Sequence, residues 1–338
     1  MRKSAGAAAW VPLVLLAAAP SGCGGKGDRH SQPASVHVDG SSTVYLISAS
    51  QARSYQRAGF GFVAVGESGT TGGFRKFCKG EIDVTGASRP INQKEMDACK
   101  GAAIDFVELP IGYDGIAVVV HARNSWVDHL TVGELRTMWE AGSEIKSWSQ
   151  VRPGFPDRPL RLYGPGTDSG TYDYFTLAIN GKERSSRTDY TGSEDDYVLA
   201  RGVIGDENGL AVFGYAYYLE HWQKLKLLAI DDGIAGNGQG PIPPSQESVS
   251  AGTYQPLSRP IFIYVSVKSA QRREVDHFVN FYLDHARKLV ADAGYIALPE
   301  RIDALVKARY QERRTGSALA GGSELGVTVD KLLAAERK

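Results

Sequence analysis

The sequence predicts an α/β fold with two lobes, each a mixed β-sheet flanked by helices. Strand and helix signals alternate from residue 36 onward, and this alternation is typical of open sheets covered by helices. The chain has 338 residues, of which 42% are hydrophobic. At roughly 150 residues per domain, this length provides for about two hydrophobic cores.

The first lobe begins with predicted strands at residues 36–38, 60–65 and 82–84. A helix over residues 43–57 follows the first strand, and a Gly/Thr-rich turn with a short helix follows the second. In such a β-α-β-α-β order, ligands bind beyond the carboxyl ends of the strands. The apolar run at residues 115–120 predicts a buried strand.

A second α/β unit begins near residue 131. A strand at residues 160–163 leads through a Gly-rich turn into a helix, an order that suits anion binding at the helix N-terminus. Residues 233–258 form a long Gly/Pro/Ser-rich loop before a further strand at 261–265. Long loops in compact domains are often functional or cover a seam between domains.

We expect the chain to cross between the lobes near residue 121 and to return near residue 225. The predicted parts are a signal peptide at residues 1–22, a flexible tether at 23–35, a first lobe at 36–121 and 226–338, and a second lobe at 122–225.

The N-terminus is typical of an exported protein. Arg2 and Lys3 precede an apolar run over residues 5–20, which suits a signal peptide and is too short for a convincing membrane span. The following Ser-Gly-Cys resembles a bacterial lipobox, in which Cys23 becomes the lipidated N-terminus. The alternative is an ordinary signal peptide cut near Ala19. We therefore expect a periplasmic or cell-surface protein, anchored through lipid on Cys23.

Cysteine content and charge narrow the kinds of protein and of ligand that the sequence allows. Cys78 and Cys99 lie in a compartment where thiols oxidise, so we expect a disulfide, with two buried free thiols as the alternative. Lys+Arg and Asp+Glu are both 38, and a chain without basic excess is a poor candidate for nucleic-acid binding. No Cys/His spacing indicates zinc, and no cofactor motif is present.

Three turns between a strand and a helix share one chemistry. They lie at residues 39–43, 66–73 and 167–171 and are rich in Gly, Ser and Thr. Helix N-termini offer free backbone N–H groups and a partial positive charge, and neighbouring hydroxyls add donors. A fourth strand end, at residues 83–90, supplies Arg89. Ser and Thr at any one such turn more often serve as ordinary helix caps. Three turns and an arginine together favour a site that surrounds a tetrahedral oxyanion.

Four motifs, DGSSTVY, SGTTGGFRKFCKGEIDVTGASRPI, YGPGTDSGTYDYF and GYIALP, resemble the substrate-binding protein of the bacterial phosphate ABC transporter. They occur in the family's order between Val36 and Pro299. The resemblance implies a type II periplasmic-binding-protein fold, one phosphate bound in an interlobe cleft, and delivery to a membrane permease by a monomer that is not an enzyme. By motif position, it implies phosphate ligands at Ser42, Thr43, Thr70, Thr71, Ser169, Gly170 and Thr171.

The sequence departs from the better-known branch of that family at two positions. The branch has Asp after Gly-Ala-Ser and Arg four residues before Ser-Gly-Thr, whereas this chain has Arg89 and Pro165 there. We therefore assign Arg89 as the charged phosphate ligand. The carboxylate that accepts the phosphate proton, which separates phosphate from sulfate, is then assigned to Asp168, with Glu67 and Asp83 as further candidates.

Three other functions fit parts of the sequence. The same donors would suit another oxyanion, such as sulfate or molybdate, or a phosphorylated metabolite. Asp-Ser-Gly around Ser169 is also found at serine hydrolase nucleophiles, but no histidine lies in a recognisable partner motif. A structural or adhesive surface lipoprotein would make the convergence of polar turns a coincidence.

Overall fold

The computed structural model describes residues 36–318 and Leu325. The predicted signal peptide, Cys23 and the tether lie outside these residues. Within the described part of the chain, no helix is long and apolar enough to cross a membrane.

The described residues form the strands and helices expected of an α/β protein. The strands are β1 Val36–Gly40, β2 Val63–Val65, β3 Val84–Ala87, β4 Phe106–His121, β5 His129–Thr131, β6 Arg161–Pro165, β7 Thr191–Ser193, β8 Gly209–Gly214, β9 Leu225–Leu227, β10 Ala229–Asp231, β11 Ser258–Ser266 and β12 Ile296–Ala297. The helices are α1 Ser42–Arg57, α2 Gly69–Phe77, α3 Gln93–Gly101, α4 Val132–Trp139, α5 Gly170–Asn180, α6 Asp196–Ile204, α7 Tyr215–His221, α8 Gln246–Ser250, α9 Arg273–Asp292 and α10 Glu300–Gln311.

Strand β4 connects two mixed sheets into one path. The strand order is β2-β1-β3-β11-β4-β8-β6-β7, with β9 and β12 also paired to β4. Residues 106–115 of β4 pair with β11, and residues 116–121 pair with β8 and β9. Strands β1, β2 and β3 are parallel, so their carboxyl ends lie at one edge. The polar turns that follow them therefore meet at that edge.

A hydrophobic cluster covers the sheet that contains β1, β3 and β11. Helix α9 shows why it packs there, because Val275, Phe278, Val279, Tyr282 and Leu283 recur at helical spacing and are all buried. The same cluster takes residues from α1, α2 and α10. We call residues 36–115 and 258–310 the first lobe.

The second part of β4 is buried on both faces, as its apolar run predicts. Ile116, Val118 and Val120 belong to one hydrophobic cluster, whereas Ala117 and Val119 belong to another. Alternate side chains of a strand point to opposite faces, so this sheet has a core on each side. We call residues 116–257 the second lobe. The predicted pair of mixed sheets flanked by helices is confirmed.

The return crossing lies near Ser258, so the prediction near residue 225 is wrong. After residue 225 the chain continues in the second lobe, because β9 pairs with the second-lobe part of β4 and Leu228 packs in a second-lobe cluster. The Gly/Pro/Ser-rich segment also stays there, where the Tyr254 hydroxyl donates to the Ile116 carbonyl oxygen at 2.7 Å. The loop composition suggested a seam, but its few apolar residues complete the second core.

Two local predictions have different outcomes. Cys78 and Cys99 form the expected disulfide, which ties the end of α2 to α3. The strand predicted from residue 60 begins only at Val63, and the preceding Phe60 and Phe62 are 49% and 46% exposed. The apolar character of these two phenylalanines therefore does not reflect a place in the core.

Candidate functional site

The N-termini of α1, α2 and α5 lie at the carboxyl ends of β1, β2 and β6. Helices α2 and α5 belong to different lobes, yet the Thr71 N–H donates to the Asp168 carbonyl oxygen at 2.9 Å. A Cβ atom added to Gly170 would lie 2.4 Å from Thr70 Oγ1 and 2.5 Å from Ser88 Oγ. Only glycine permits this approach, so the two lobes touch through the predicted turns.

The Asp-Gly-Ser-Ser-Thr turn after β1 depends on a second glycine. Gly40 has φ +135°, and a Cβ there would lie 2.2 Å from the Gly86 carbonyl oxygen at the end of β3. The Ser41 N–H donates to that same oxygen at 2.9 Å. This close packing fixes Ser42 and Thr43 at the start of α1.

Most of the predicted hydroxyls are buried at one junction between the lobes. The Thr70 and Ser88 hydroxyls lie 3.3 Å apart, and Ser169 Oγ accepts the Thr171 N–H at 3.1 Å. The polar residues that are less than 4% exposed there are Ser42, Thr43, Thr70, Ser88, Ser169 and Thr171. Ser88 was not predicted as a ligand, although it belongs to the quoted Gly-Ala-Ser motif.

Arg259 on β11 joins the two sides of this junction. Its Nη2 donates to Thr43 Oγ1 at 3.2 Å in the first lobe and to Thr171 Oγ1 at 2.7 Å in the second. Its Nε and Nη2 also donate to Asp114 Oδ2, at 3.2 and 2.8 Å, and both charged side chains are fully buried. The guanidinium is therefore held rigidly by one carboxylate and two hydroxyls.

One end of the Arg259 guanidinium is free to bind a ligand. Nη1 is buried and has no hydrogen-bond partner among the described residues. A buried unpaired donor is costly, and a charged donor more so, unless a ligand completes it. An oxyanion supplies the matching charge-assisted hydrogen bonds. Sequence reasoning missed Arg259 because no motif surrounds it; the available signal was a lone arginine at the start of an otherwise apolar strand.

Arg89 does not have a free donor, which overturns its assignment as the charged ligand. The guanidinium is 1% exposed and bonds Glu95 through Nη1 and Nη2, at 2.8 and 2.7 Å. Nε donates to Asp173 at 2.7 Å, and the remaining N–H groups go to the Pro90 carbonyl and the Thr71 hydroxyl. Burial alone would lower the pKa of Arg89, but the hydrogen bonds and charges of Glu95 and Asp173 outweigh burial. The pKa of Arg89 is therefore raised above its ordinary value.

Glu95 is placed by the helix that begins after Asn92. The Asn92 side chain accepts the Glu95 N–H at 3.0 Å, and Glu95 Oε2 accepts the Asn92 N–H at 3.0 Å. These two reciprocal hydrogen bonds form the capping box of α3. The residue that anchors Arg89 is therefore itself fixed by a local motif.

Thr71 and Asp168 also have other roles than those predicted. The Thr71 N–H and hydroxyl are both used in contacts to the second lobe, to Asp168 and Asp173 respectively. The Asp168 carboxylate faces Arg75 at 3.2 Å, and its side chain is 36% exposed. The proton-acceptor assignment to Asp168 therefore has no support in this geometry.

The two further proton-acceptor candidates differ in position. Asp83 precedes β3, where it accepts the His37 N–H at 2.9 Å, so it lies at the opposite edge from the polar turns. Glu67 lies between β2 and α2 and has a buried oxygen, Oε1, without a partner among the described residues. Burial, with the charges of Asp195, Glu194 and Asp39, raises its pKa to about 7.

Ser169 has the geometry of a helix cap. Its hydroxyl accepts the Thr171 N–H at the start of α5, which is the usual N-cap bond. Among residues 36–318, no group of three or more His, Cys, Asp or Glu side chains could hold a metal ion.

Comparison with known proteins identifies the family. Residues 27–285 match the model of the PBP superfamily domain, and the chain is 31% identical to the phosphate-binding protein PstS of Staphylococcus aureus over 85% of both chains. The chain belongs to the PstS family of the PBP superfamily. The chain is also 44% identical to Protein SphX of Synechococcus elongatus, over 91% of both chains.

A solved structure supports the family fold. The crystal structure of a possible phosphate binding protein from Planctomyces limnophilus DSM 3776 is 42% identical, with a TM-score of 0.61. The match covers 82% of this chain and 98% of that chain. The predicted resemblance to the PstS family and its two-lobed fold is therefore confirmed.

Proposed function

We propose that this protein binds inorganic phosphate between its two lobes and delivers it to an ABC permease for import. The observation that carries the proposal is the buried, unpaired Nη1 of Arg259 beside hydroxyls from both lobes. Relatives named as phosphate-binding proteins support the choice of anion.

The donor set fits an oxyanion in number and kind. Arg259 provides the fixed positive charge, and α1, α2 and α5 present their N-termini to the same junction. The proposed ligand residues are Ser42, Thr43, Thr70, Ser88, Ser169, Gly170, Thr171 and Arg259. Arg89 and Thr71 are left out because their donors are used within the protein.

Binding would favour closure of the lobes. Arg259 and Thr43 belong to the first lobe and Thr171 to the second, so a ligand between them contacts both halves only when the lobes are together. A ligand shifts the equilibrium toward the state that it contacts best. The hinge lies at β4 and at the return near Ser258, where the chain crosses between the lobes. The closed form is then the one that the permease recognises.

We further propose export and lipid anchoring through Cys23. Twelve residues separate Cys23 from Val36, and the thirteen steps from Cys23 to Val36 reach at most about 45 Å. Such a tether would keep the protein close to the membrane that holds the permease. The Cys23→Ser variant should lose the lipid and leave the membrane fraction, and retention there would contradict the anchor.

Calorimetry tests the phosphate proposal. The mature protein, unfolded and refolded to remove any carried-over anion, is titrated with phosphate and with sulfate. We expect one phosphate per chain, and Arg259→Gln should weaken binding by about a hundredfold because it removes the charge and the free donors. The matched control, Arg75→Gln, removes an exposed arginine that already pairs with Asp168. Sulfate binding of equal strength would indicate a general oxyanion site.

A further inference from the structure

Arg89 and Asp173 form an ion pair between the two lobes. Arg89 follows β3 in the first lobe, and Asp173 lies on α5 in the second. The Arg89 Nε to Asp173 Oδ2 distance is 2.7 Å, and the side chains are 1% and 2% exposed. The Thr71 hydroxyl lies between them, accepting from Arg89 Nη2 at 3.0 Å and donating to Asp173 Oδ2 at 3.4 Å.

Each charge in this pair also has a partner in its own lobe. Glu95 holds two nitrogens of Arg89 from the first lobe, and Arg184 Nη1 donates to Asp173 Oδ1 at 2.9 Å from the second. A buried charge that loses its only partner is strongly destabilised. Here, separation of the lobes leaves neither Arg89 nor Asp173 alone, so the contact can break and form again.

The disulfide holds the first-lobe half of this contact in place. Cys99 lies on α3, the helix that carries Glu95, and Cys78 follows α2, the helix that carries Thr71. The Cys78 Sγ also contacts the Glu95 carbonyl oxygen at 3.4 Å. The groups that meet Asp173 are therefore fixed to one another before the lobes close.

We propose that Arg89, Thr71 and Asp173 form a clasp that holds the closed lobes together and sets how long the anion stays bound. The inference rests on the proposed function, since it concerns release from that site. The clasp acts on closure and does not contact the anion, because every N–H of Arg89 is already donated within the protein.

A second ion pair between the lobes provides a matched control. Arg75 of α2 and Asp168 of the second lobe are 3.2 Å apart, but their side chains are 58% and 36% exposed. Exposed pairs contribute little. The Asp168→Asn variant therefore removes the same charge as Asp173→Asn from the same two faces, without removing a buried contact.

The test measures phosphate binding kinetics on the mature protein by stopped flow. Asp173→Asn should raise the dissociation rate about tenfold, because it removes one buried charge-assisted hydrogen bond from the closed form. The association rate should stay within about twofold of the wild type. Asp168→Asn should change either rate by less than about twofold. An unchanged dissociation rate in Asp173→Asn, or an equal change in both variants, would overturn the clasp.

Further measurements separate the clasp from folding and from the anion site. If Asp173→Asn does not fold, Thr71→Val removes the shared hydroxyl and keeps both charges, and we expect about a threefold faster release. Loss of one-to-one binding in a folded variant would place the network in the anion site and overturn the clasp.

The two proposals can fail independently. If the wild-type protein binds no phosphate, the proposed function fails. Small-angle scattering of the ligand-free proteins then tests whether the clasp holds the lobes together. Asp173→Asn should have a larger radius of gyration than the wild type, and Asp168→Asn should not. Equal radii in all three proteins would contradict it.

Discussion

Gly170→Ala should separate ligand binding from stability. The new Cβ would lie 2.4 Å from Thr70 Oγ1 and 2.5 Å from Ser88 Oγ, whereas ordinary contacts begin near 3.4 Å. Both neighbours belong to the opposite lobe, so the lobes must move apart by about 1 Å at this point. The substitution leaves α5 itself undisturbed, because alanine is a better helix former than glycine by roughly 0.5–1 kcal/mol.

The cost to binding follows from the contacts that a 1 Å separation breaks. The Arg259–Thr171 contact of 2.7 Å and the Thr71–Asp168 backbone contact of 2.9 Å would both pass beyond hydrogen-bond range. One of these two hydrogen bonds is charge-assisted, so the closed state should lose about 2–4 kcal/mol of stabilisation. Phosphate affinity should therefore fall by roughly thirtyfold to a thousandfold.

Calorimetry and thermal unfolding check this prediction together. Affinity should fall while the melting temperature without phosphate stays equal or rises. The control is Gly133→Ala in α4, where a Cβ would meet only the Thr131 hydroxyl at 3.7 Å, and binding should not change. If Gly170→Ala binds phosphate within about threefold of the wild type, the contact between the lobes at this glycine is not needed for the bound state.

Three further predictions follow from the structure. Ser88→Ala should weaken phosphate binding about fivefold in a titration, since it removes one hydroxyl from the proposed site. Cys99→Ser should lower the free energy of unfolding in urea by about 3 kcal/mol, and an unchanged value would show that the disulfide does not stabilise the fold. The Glu67 pKa is raised to about 7 from 4.5, so the folded state binds the extra proton and stability should fall as pH rises between these values. Asp196, whose pKa is raised to about 8 by burial, contributes a slope of the same sign, so Glu67→Gln should reduce the slope of melting temperatures measured without phosphate. An unchanged slope would assign all of it to other groups.

The parts of the site that sequence could predict are those made by local structure. Ser42 and Thr43 follow directly after a strand, and Ser169 to Thr171 open a helix, so their place at a strand end is fixed within a few residues. Parallel pairing then brings the strand ends together. The disulfide was predictable from compartment and composition alone, since an exported chain with two such cysteines tends to pair them.

The parts that sequence could not predict depend on distant partners. Arg89 follows a strand, as its sequence position indicates, but its guanidinium pairs with Glu95, six residues away, and with Asp173, 84 residues away. Its role follows only from those contacts. The return crossing was misplaced for a related reason, because the packing of Tyr254 against the start of the second half of β4 has no local signal.

The proposed ligand Arg259 would account for the departure of this chain from the better-known branch of its family. That branch has an arginine four residues before Ser-Gly-Thr, in the second lobe, where this chain has Pro165 at the end of β6. Arg259 comes from β11 in the first lobe, yet it bonds Thr171 within the same Ser-Gly-Thr turn. Either lobe can provide the positively charged side chain of such a cleft, because a bound anion contacts both lobes in the closed form. A change of lobe therefore preserves the site as long as the new arginine has a buried counter-ion to orient it, and Asp114 provides one here.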